Sequence, residues 1–312
     1  MGIEKLPSVP DLSVSLGPLK LKNPVMTASG TFGFGAEWAE FFDLSRLGAI
    51  MVKAVTVKPR GGNPMPRMVE TAGGTLNAIG LQNPGLDAFI AEKMPYLRGY
   101  DCPVIVNIAA DRMEDFNTLA ETLNDVPGIA ALEVNISCPN QACGGIEFGV
   151  EPALTEQVIA SVRSRTQLPL IAKLSPNVTD ISLIARAAEA GGADILSLIN
   201  TFVGTSISVR TRKFRIANRT GGLSGPCIKP LALHMVWKVA QVTNLPIIGM
   251  GGIATTDDAL EFMLAGATAI ATGTINFVNP KAAIEIIDGI EQYLISQNET
   301  KASDIIGTVT RL

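Results

Sequence analysis

Histidine appears once in 312 residues, at His234, and cysteine only four times, at Cys102, Cys138, Cys143 and Cys227. Thiols this few and scattered do not staple a chain of this length, and they point to a reducing, cytoplasmic setting. Cys138 and Cys143 stand as C-x4-C, the opening of an iron–sulfur pattern. No third cysteine follows at short spacing, so no cluster is expected on this chain. Charged residues are sparse as well, 17% of the total, and a net charge of −4 leaves no electrostatic footprint for nucleic acid. Anionic ligands must then be met by local donors rather than by a global field. No unbroken apolar run reaches membrane-spanning length. The stretch MGIEKLPSVP lacks the basic segment and apolar core of a secretory leader, so none is expected.

Hydrophobic residues make up 47% of the chain, enough for the core of one large α/β domain. A short hairpin is expected over Leu12–Lys22. Apolar runs rich in Val and Ile then recur at Val25–Ser29, Ala49–Ala54, Val104–Ile108, Ala131–Ile136, Leu170–Leu174, Ile195–Ile199, Ile247–Met250 and Ala269–Ala271. They lack strict alternation, as parallel strands covered on both faces should. Amphipathic stretches lie between them at Thr118–Asn124, Leu154–Arg165, Ile181–Ala190, Pro230–Val242 and Asp257–Ala265, with another at Lys281–Ser296. Roughly eight such units fit a (β/α)8 barrel of the TIM type, one domain over residues 1–312. A doubly wound sheet would carry its nucleotide fingerprint on the first strand, and none is there. Two connections, Val55–Pro84 and Phe202–Pro226, are too long for bare βα loops and are expected to form lids or partner surfaces.

In such barrels the active site lies at the C-terminal ends of the strands. Those ends carry Ser29 and Gly30, Lys53, Asn107, Asn135 with Cys138, Lys173, Asn200 with Thr201, Gly251 with Gly252, and Gly273 with Thr274. The one nearby carboxylate is Glu133, two residues inside its strand end. Neither a metal site nor a two-carboxylate glycosidase is therefore expected. The set suits a planar, polar, partly anionic ligand. PIIGMGGIATTDD does contain G-x-G-x-x-A at Gly249, Gly251 and Ala254. It follows the seventh strand, however, and no acidic residue stands about twenty positions on, which argues against a dinucleotide fold. These glycines read instead as a barrel phosphate site shared with Gly273 and Thr274. The bland alternative is tight βα turns without a ligand.

Cys138 lies in NISCPN, just past the fourth strand. With a reference pKa of about 8.5, a thiol is a few per cent thiolate at neutral pH and a workable general base. A buried bystander is the alternative. Cys102 and Cys227 read as structural. Lys53 and Lys173 each end a buried strand, where an ammonium must meet a negative partner or lose its proton. Two lysines at one site favour pairing with an anionic cofactor ring over Schiff-base chemistry. His234 reads as packing or surface, and Met235, Trp237 and Met263 as core.

Taken together the motifs resemble the dihydroorotate dehydrogenases, most closely the catalytic subunit of the NAD-linked, two-subunit type. The residues carrying this are ASGTFGFG (28–35), KAVTVKPRGGNPMPR (53–67), LNAIGLQNPG (76–85), NISCPN (135–140), AKLSPN (172–177), INT (199–201), GGLSGP (221–226) and GMGG (249–252). The resemblance implies an FMN barrel that oxidises (S)-dihydroorotate to orotate in pyrimidine biosynthesis. It makes Cys138 the base and sets Lys53 between substrate and flavin. Asn77, Ile79, Gly80, Leu81, Asn135, Asn140, Asn200 and Thr201 would bind substrate. Ala28, Ser29, Gly30, Lys53, Asn107, Asn135, Lys173, Ile199, Gly225, Gly251, Gly252, Gly273 and Thr274 would hold FMN, with Lys173 stabilising charge on the reduced ring.

The resemblance also implies a partner subunit carrying FAD and an iron–sulfur cluster. It would dock on an exposed apolar surface near the flavin edge and pass electrons to NAD+, around a homodimeric core of a heterotetramer. The membrane-linked type is similar in its barrel but uses serine as the base and carries a membrane segment, neither of which is read here. The fumarate-using cytosolic type shares the cysteine, and PRGGNPMPR and CGGIEFG look more like the NAD-linked type. Rival readings are a Schiff-base lyase acting through Lys53 or Lys173 on a phosphorylated sugar, a flavin barrel with another substrate, and a non-catalytic phosphate-binding barrel. Replacing Cys138→Ala is expected to keep FMN while strongly slowing flavin reduction by dihydroorotate. Cys138→Ser should do no better than an intermediate rate, since a hydroxyl is a far weaker acid than a thiol. Stopped-flow absorbance checks this, and a wild-type rate in the alanine variant would remove Cys138 from the mechanism.

Overall fold

The computed structural model describes residues 9–136 and 148–310. Cys138, Asn140 and Cys143 lie outside the described residues. Eight parallel strands form the central sheet: Val25–Thr27, Ile50–Val55, Val104–Ile108, Ile129–Asn135, Leu170–Lys173, Ile195–Leu198, Ile247–Met250 and Ala269–Thr272. Numbered one to eight along the chain, they neighbour one another in the order one, eight, seven, six, five, four, three, two. Strands one and two close the ring. Met26 bridges Ala49 in parallel, and the buried Thr27 hydroxyl accepts from Met51 N at 3.1 Å and donates to Met51 O at 3.3 Å. The architecture is the (β/α)8 barrel expected from the alternation.

Most strand side chains are buried on both faces, which explains the unbroken Val/Ile runs. Helices Met113–Asn124, Pro152–Arg163, Ile181–Ala190, Lys229–Ala240, Thr256–Leu264 and Ala282–Gln297 follow strands three to eight. The unit after strand two has a π-helical centre, Phe89–Lys93, between Leu86–Ala88 and Met94–Leu97. After strand one, in place of an α-helix, stands a single 3-10 turn, Leu44–Arg46. The preceding segment packs through aromatics, with Phe32 stacked on Trp38 at 5.2 Å between ring centroids. The expected hairpin is present as Val14–Leu16 paired with Leu19–Leu21, and its Gly17 turn packs by Ile195 and Pro246. Met263 is core as read, but Trp237 is not: it is 44% exposed and packs by the exposed His234. Among the described residues no helix is long and apolar enough to cross a membrane.

The two long connections are not separate lids. They pair with each other into one antiparallel sheet, in the order Phe202–Thr205, Thr220–Ser224, Gly74–Asn77, Met68–Thr71. Residues about 145 apart in sequence thereby become neighbours, with Asn77 opposite Gly222 and Leu76 opposite Leu223. Glycine is required where the chains touch. A Cβ on Gly74 would stand 2.2 Å from Ser224 O, and one on Gly222 would stand 2.0 Å from Thr201 Oγ1. A further hairpin, Ile207–Ser208 with Lys213–Phe214, projects from this sheet. It carries Arg210, Arg212, Lys213 and Arg215 beside Phe214, a local basic stretch that the overall charge of −4 conceals.

Candidate active site

Side chains at alternate positions of a barrel strand point inward, and register decides which of them meet. Asn107 lies opposite Glu133, Asn135 opposite Lys173, and Ser197 opposite Lys173. The inward residues of strands three to six are therefore polar, in the middle of an otherwise apolar sheet. Glu133 is fully buried. Its Oε2 accepts from Asn107 Nδ2, and its Oε1 accepts from Ser197 Oγ at 2.6 Å. Lys173 Nζ stands 4.0 Å from Glu133 Oε2 and donates to Ser29 Oγ at 3.2 Å. A charge buried this deeply is tolerated only with such partners.

Above this network a cavity of about 820 Å³ opens at the C-terminal ends of the strands, roofed on one side by the four-stranded sheet. Of the residues expected at the site, Ser29, Gly30, Lys53, Asn77, Ile79, Gly80, Leu81, Asn135, Ile199, Asn200, Thr201, Gly225, Gly251, Gly252, Gly273 and Thr274 line it. Ala28, Asn107 and Lys173 are buried beneath its floor and reach it through neighbours such as Ser29. On either side of residues 137–147, Gly149 N donates to Ile136 O at 2.9 Å, next to Asn135 in the chain.

One wall presents amides. Asn200 Nδ2 donates to Asn135 Oδ1 at 3.4 Å, and Asn77 Nδ2 donates to Gly222 O at 3.4 Å. The long contact of Asn77 leaves that amide donor and acceptor capacity for a ligand. Gly80 and Leu81 take positive φ, 78° and 55°. The left-handed Leu81 is held by Asn83, whose Nδ2 donates to Leu81 O at 2.7 Å and to Thr56 Oγ1 at 2.8 Å. Another part of the lining is the glycine site. Gly251 and Gly252 have φ of 130° and 81°, and a Cβ on Gly251 would meet Ala232 Cβ at 2.6 Å. The N–H groups of Gly252, Gly273 and Thr274 have no hydrogen-bond partner among the described residues. Converging free N–H groups at glycine turns are what a phosphate takes. Asn107 Oδ1 is a buried acceptor with no donor among the described residues, so an N–H on a ligand would satisfy it.

Several lining residues carry no mark in the sequence reading. Asn177 ties two elements, donating to Thr201 O at 3.0 Å and accepting from Val203 N at 3.0 Å. Ser224 accepts from Thr274 Oγ1 at 2.8 Å. Arg60 pairs with Asp111 at 2.8 Å across the rim, and Arg67 donates to Gln82. AKLSPN and GGLSGP flagged the segments of Asn177 and Ser224; the roles of these side chains depend on contacts between distant strands. Away from the site, burial pushes the Cys102 thiol up to about 12, so it is inert at neutral pH. Cys227 is exposed beside Gly73.

The profile of the dihydroorotate dehydrogenase family matches residues 11–294. The catalytic subunit of dihydroorotate dehydrogenase B (NAD(+)) from Geotalea uraniireducens is 55% identical over 300 residues, covering 96% of this chain and 98% of that protein. The protein of the same description from Pelobacter propionicus is 53% identical over 300 residues, with 96% and 99% covered. That from Thermoanaerobacter sp. is 53% identical over 299 residues, again with 96% and 99% covered.

The buried network makes a stability prediction. In Glu133→Leu the Lys173 ammonium loses its carboxylate, which is expected to cost about 3–5 kcal/mol. Urea unfolding of the two proteins measures it, and an unchanged midpoint would show that Lys173 does not depend on Glu133.

Proposed function

The chain belongs to the dihydroorotate dehydrogenase family, and on that premise we propose that it oxidises (S)-dihydroorotate to orotate in pyrimidine biosynthesis, with FMN as its bound cofactor and NAD+ as final acceptor through a partner subunit. The observation that carries this reading is one cavity holding both a set of amides with Lys53 and a glycine site with free N–H groups. FMN, when bound, supplies the hydride acceptor. Its chemistry matches the donor set: an anionic phosphate for the N–H groups of Gly252, Gly273 and Thr274, and ring N–H groups for acceptors such as Asn107 Oδ1.

The chain's own residues do the rest. Asn77, Asn135, Asn140 and Asn200 bind and orient the substrate, because planar amides answer the alternating donors and acceptors of a pyrimidine ring. Lys53 and the rim guanidiniums favour a carboxylate ligand, and the one carboxylate in the described lining, Asp111, is taken by Arg60. Cys138, whose segment starts beside Asn135, takes the C5 proton as general base. Lys173, held at Ser29 by its hydrogen bond, places a positive charge under the floor where reduction adds electron density.

The partner subunit, carrying FAD and an iron–sulfur cluster, docks at the cavity edge formed by Phe277. This residue lines the cavity yet is 54% exposed, and it adjoins Val278, Trp38 and Phe41 in an apolar patch. The second copy of the chain docks elsewhere, on the exposed Val203, Ile207, Val209 and Phe214 of the loop sheet and hairpin. A cytoplasmic location is part of the same reading, in keeping with four scattered cysteines.

An anaerobic visible spectrum of the purified chain tests the half-reaction. A yellow protein that bleaches on adding dihydroorotate is expected, and one that stays yellow would overturn the substrate assignment. Phe41→Asp with Val278→Asp should preserve bleaching while abolishing co-purification of the partner and NAD+ reduction. Retention of the complex in that variant would move the docking surface elsewhere, and light scattering of the intact complex reads its stoichiometry.

A further inference from the structure

Beside the glycine site lies a cluster of charged residues that neither the motifs nor the family resemblance singles out. Ala254 N and Thr255 N both donate to Asp258 Oδ2, each at 2.9 Å. Asp258 N donates back to Thr255 Oγ1 at 3.3 Å. The other carboxylate oxygen, Oδ1, accepts from Lys229 Nζ at 2.6 Å, and the same ammonium stands 2.9 Å from Glu261 Oε2. A helix cap of this kind needs only the reciprocal pair of Thr255 and Asp258. Asp258 does more, since it also takes the Ala254 N–H and a cation from another helix.

The connectivity explains what that extra bonding achieves. Ala254 and Thr255 follow the Gly251–Gly252 turn after one residue, Ile253, and Lys229 directly follows the turn that begins at Gly225. The two turns are in contact: a Cβ on Gly252 would lie 2.8 Å from Lys229 N and 2.9 Å from Gly225 O. Each turn is therefore tied to one half of a single ion pair. The charges also matter. Asp258 and Glu261 are two anions next to a site for an anion, and Lys229 cancels one of them. Lys229 spends its charge on these carboxylates, so it is not itself a phosphate ligand.

We propose that the Lys229–Asp258 pair is a positioning clamp for the phosphate-binding glycine turns, setting the preference of this chain for a phosphorylated flavin over its unphosphorylated counterpart. The proposal rests on the reading of those turns as the FMN phosphate site. Both groups are ionised at neutral pH. The hydrogen bonds that Lys229 donates to Asp258 and Glu261 hold it above its ordinary value. Burial pushes the Asp258 carboxyl up, but hydrogen bonds from Lys229, Ala254 and Thr255 outweigh it and hold it below its ordinary value.

The test compares FMN with riboflavin on the full-length chain freed of flavin, following the quenching of flavin fluorescence. The ratio of the two dissociation constants is the readout, because a general loss of structure weakens both ligands alike. Wild type should favour FMN. In Lys229→Met, which leaves two carboxylates uncompensated and unhooks the turns, FMN should weaken roughly tenfold or more, while riboflavin changes by no more than about twofold. Lys229→Arg should restore most of the preference and, if the methionine variant folds poorly, Asp258→Asn supplies the second comparison: it removes an anion, which by charge alone would raise the preference, yet by unhooking the turns it should lower it. A preference for FMN that survives unchanged in these variants overturns the clamp alone. A wild-type chain that binds both flavins equally overturns the phosphate-site reading beneath it.

Discussion

A carboxylate with no exposure to water sits in the middle of this barrel, and much of the site follows from satisfying it. Glu133 needs donors on both oxygens, and it finds them on strands three and six, in Asn107 and Ser197. Its charge needs a cation, which strand five supplies as Lys173 at 4.0 Å. Lys173 in turn reaches strand one through Ser29. Five of the eight strands are thus linked through side chains inside the ring, directly below the cavity. The interior of a small barrel is normally filled by branched apolar residues. Here polarity is placed in the layer next to the ligand, and the cost of burying it is met by mutual pairing.

The second constraint is the roof. A barrel mouth is open by construction, and the amides that would read a substrate need a rigid mount. The chain provides one by pairing two distant loops into an antiparallel sheet, so that Asn77 is fixed in register against Gly222 rather than left on a free loop. Contact between these strands is close enough that Gly74, against Ser224 O, and Gly221, against Asn77 O, admit no side chain. The GGLSGP motif is therefore legible twice, once as backbone packing and once as the approach to the Gly225 turn.

Local patterns made the barrel legible. Eight Val/Ile-rich runs coincide with the eight observed strands to within two residues at either end, because strands buried on both faces leave an unbroken apolar signature. The strand-end rule likewise brought ten of the expected residues to one cavity, and the family resemblance added Asn77, Ile79, Gly80, Leu81, Ile199 and Gly225. Pairing across long sequence distances was not legible. The segments Gly74–Asn77 and Thr220–Ser224 are short and rich in glycine and polar residues, so no periodicity marks them as strands. Asn177 escaped notice for the same reason, since its partners Thr201 and Val203 lie in another unit. Trp237 misled in the opposite sense: a large aromatic reads as core, yet it lies on the outer face of its helix beside His234.

The electrostatics of the cavity join these threads. A chain of net charge −4 offers no long-range attraction to an anion, so recognition must come from short-range donors. The cavity divides that work by chemistry. Side-chain cations, Lys53 and the rim arginines, stand where a small carboxylate ligand would enter, with Arg60 held in place by Asp111. Backbone N–H groups, which carry no net charge and need no counter-ion, stand where a phosphate would rest permanently. The one lysine at that end, Lys229, is bound to carboxylates and kept out of the site. A resident cofactor and a transient substrate, both anionic, can thus share one cavity, each met by its own kind of donor.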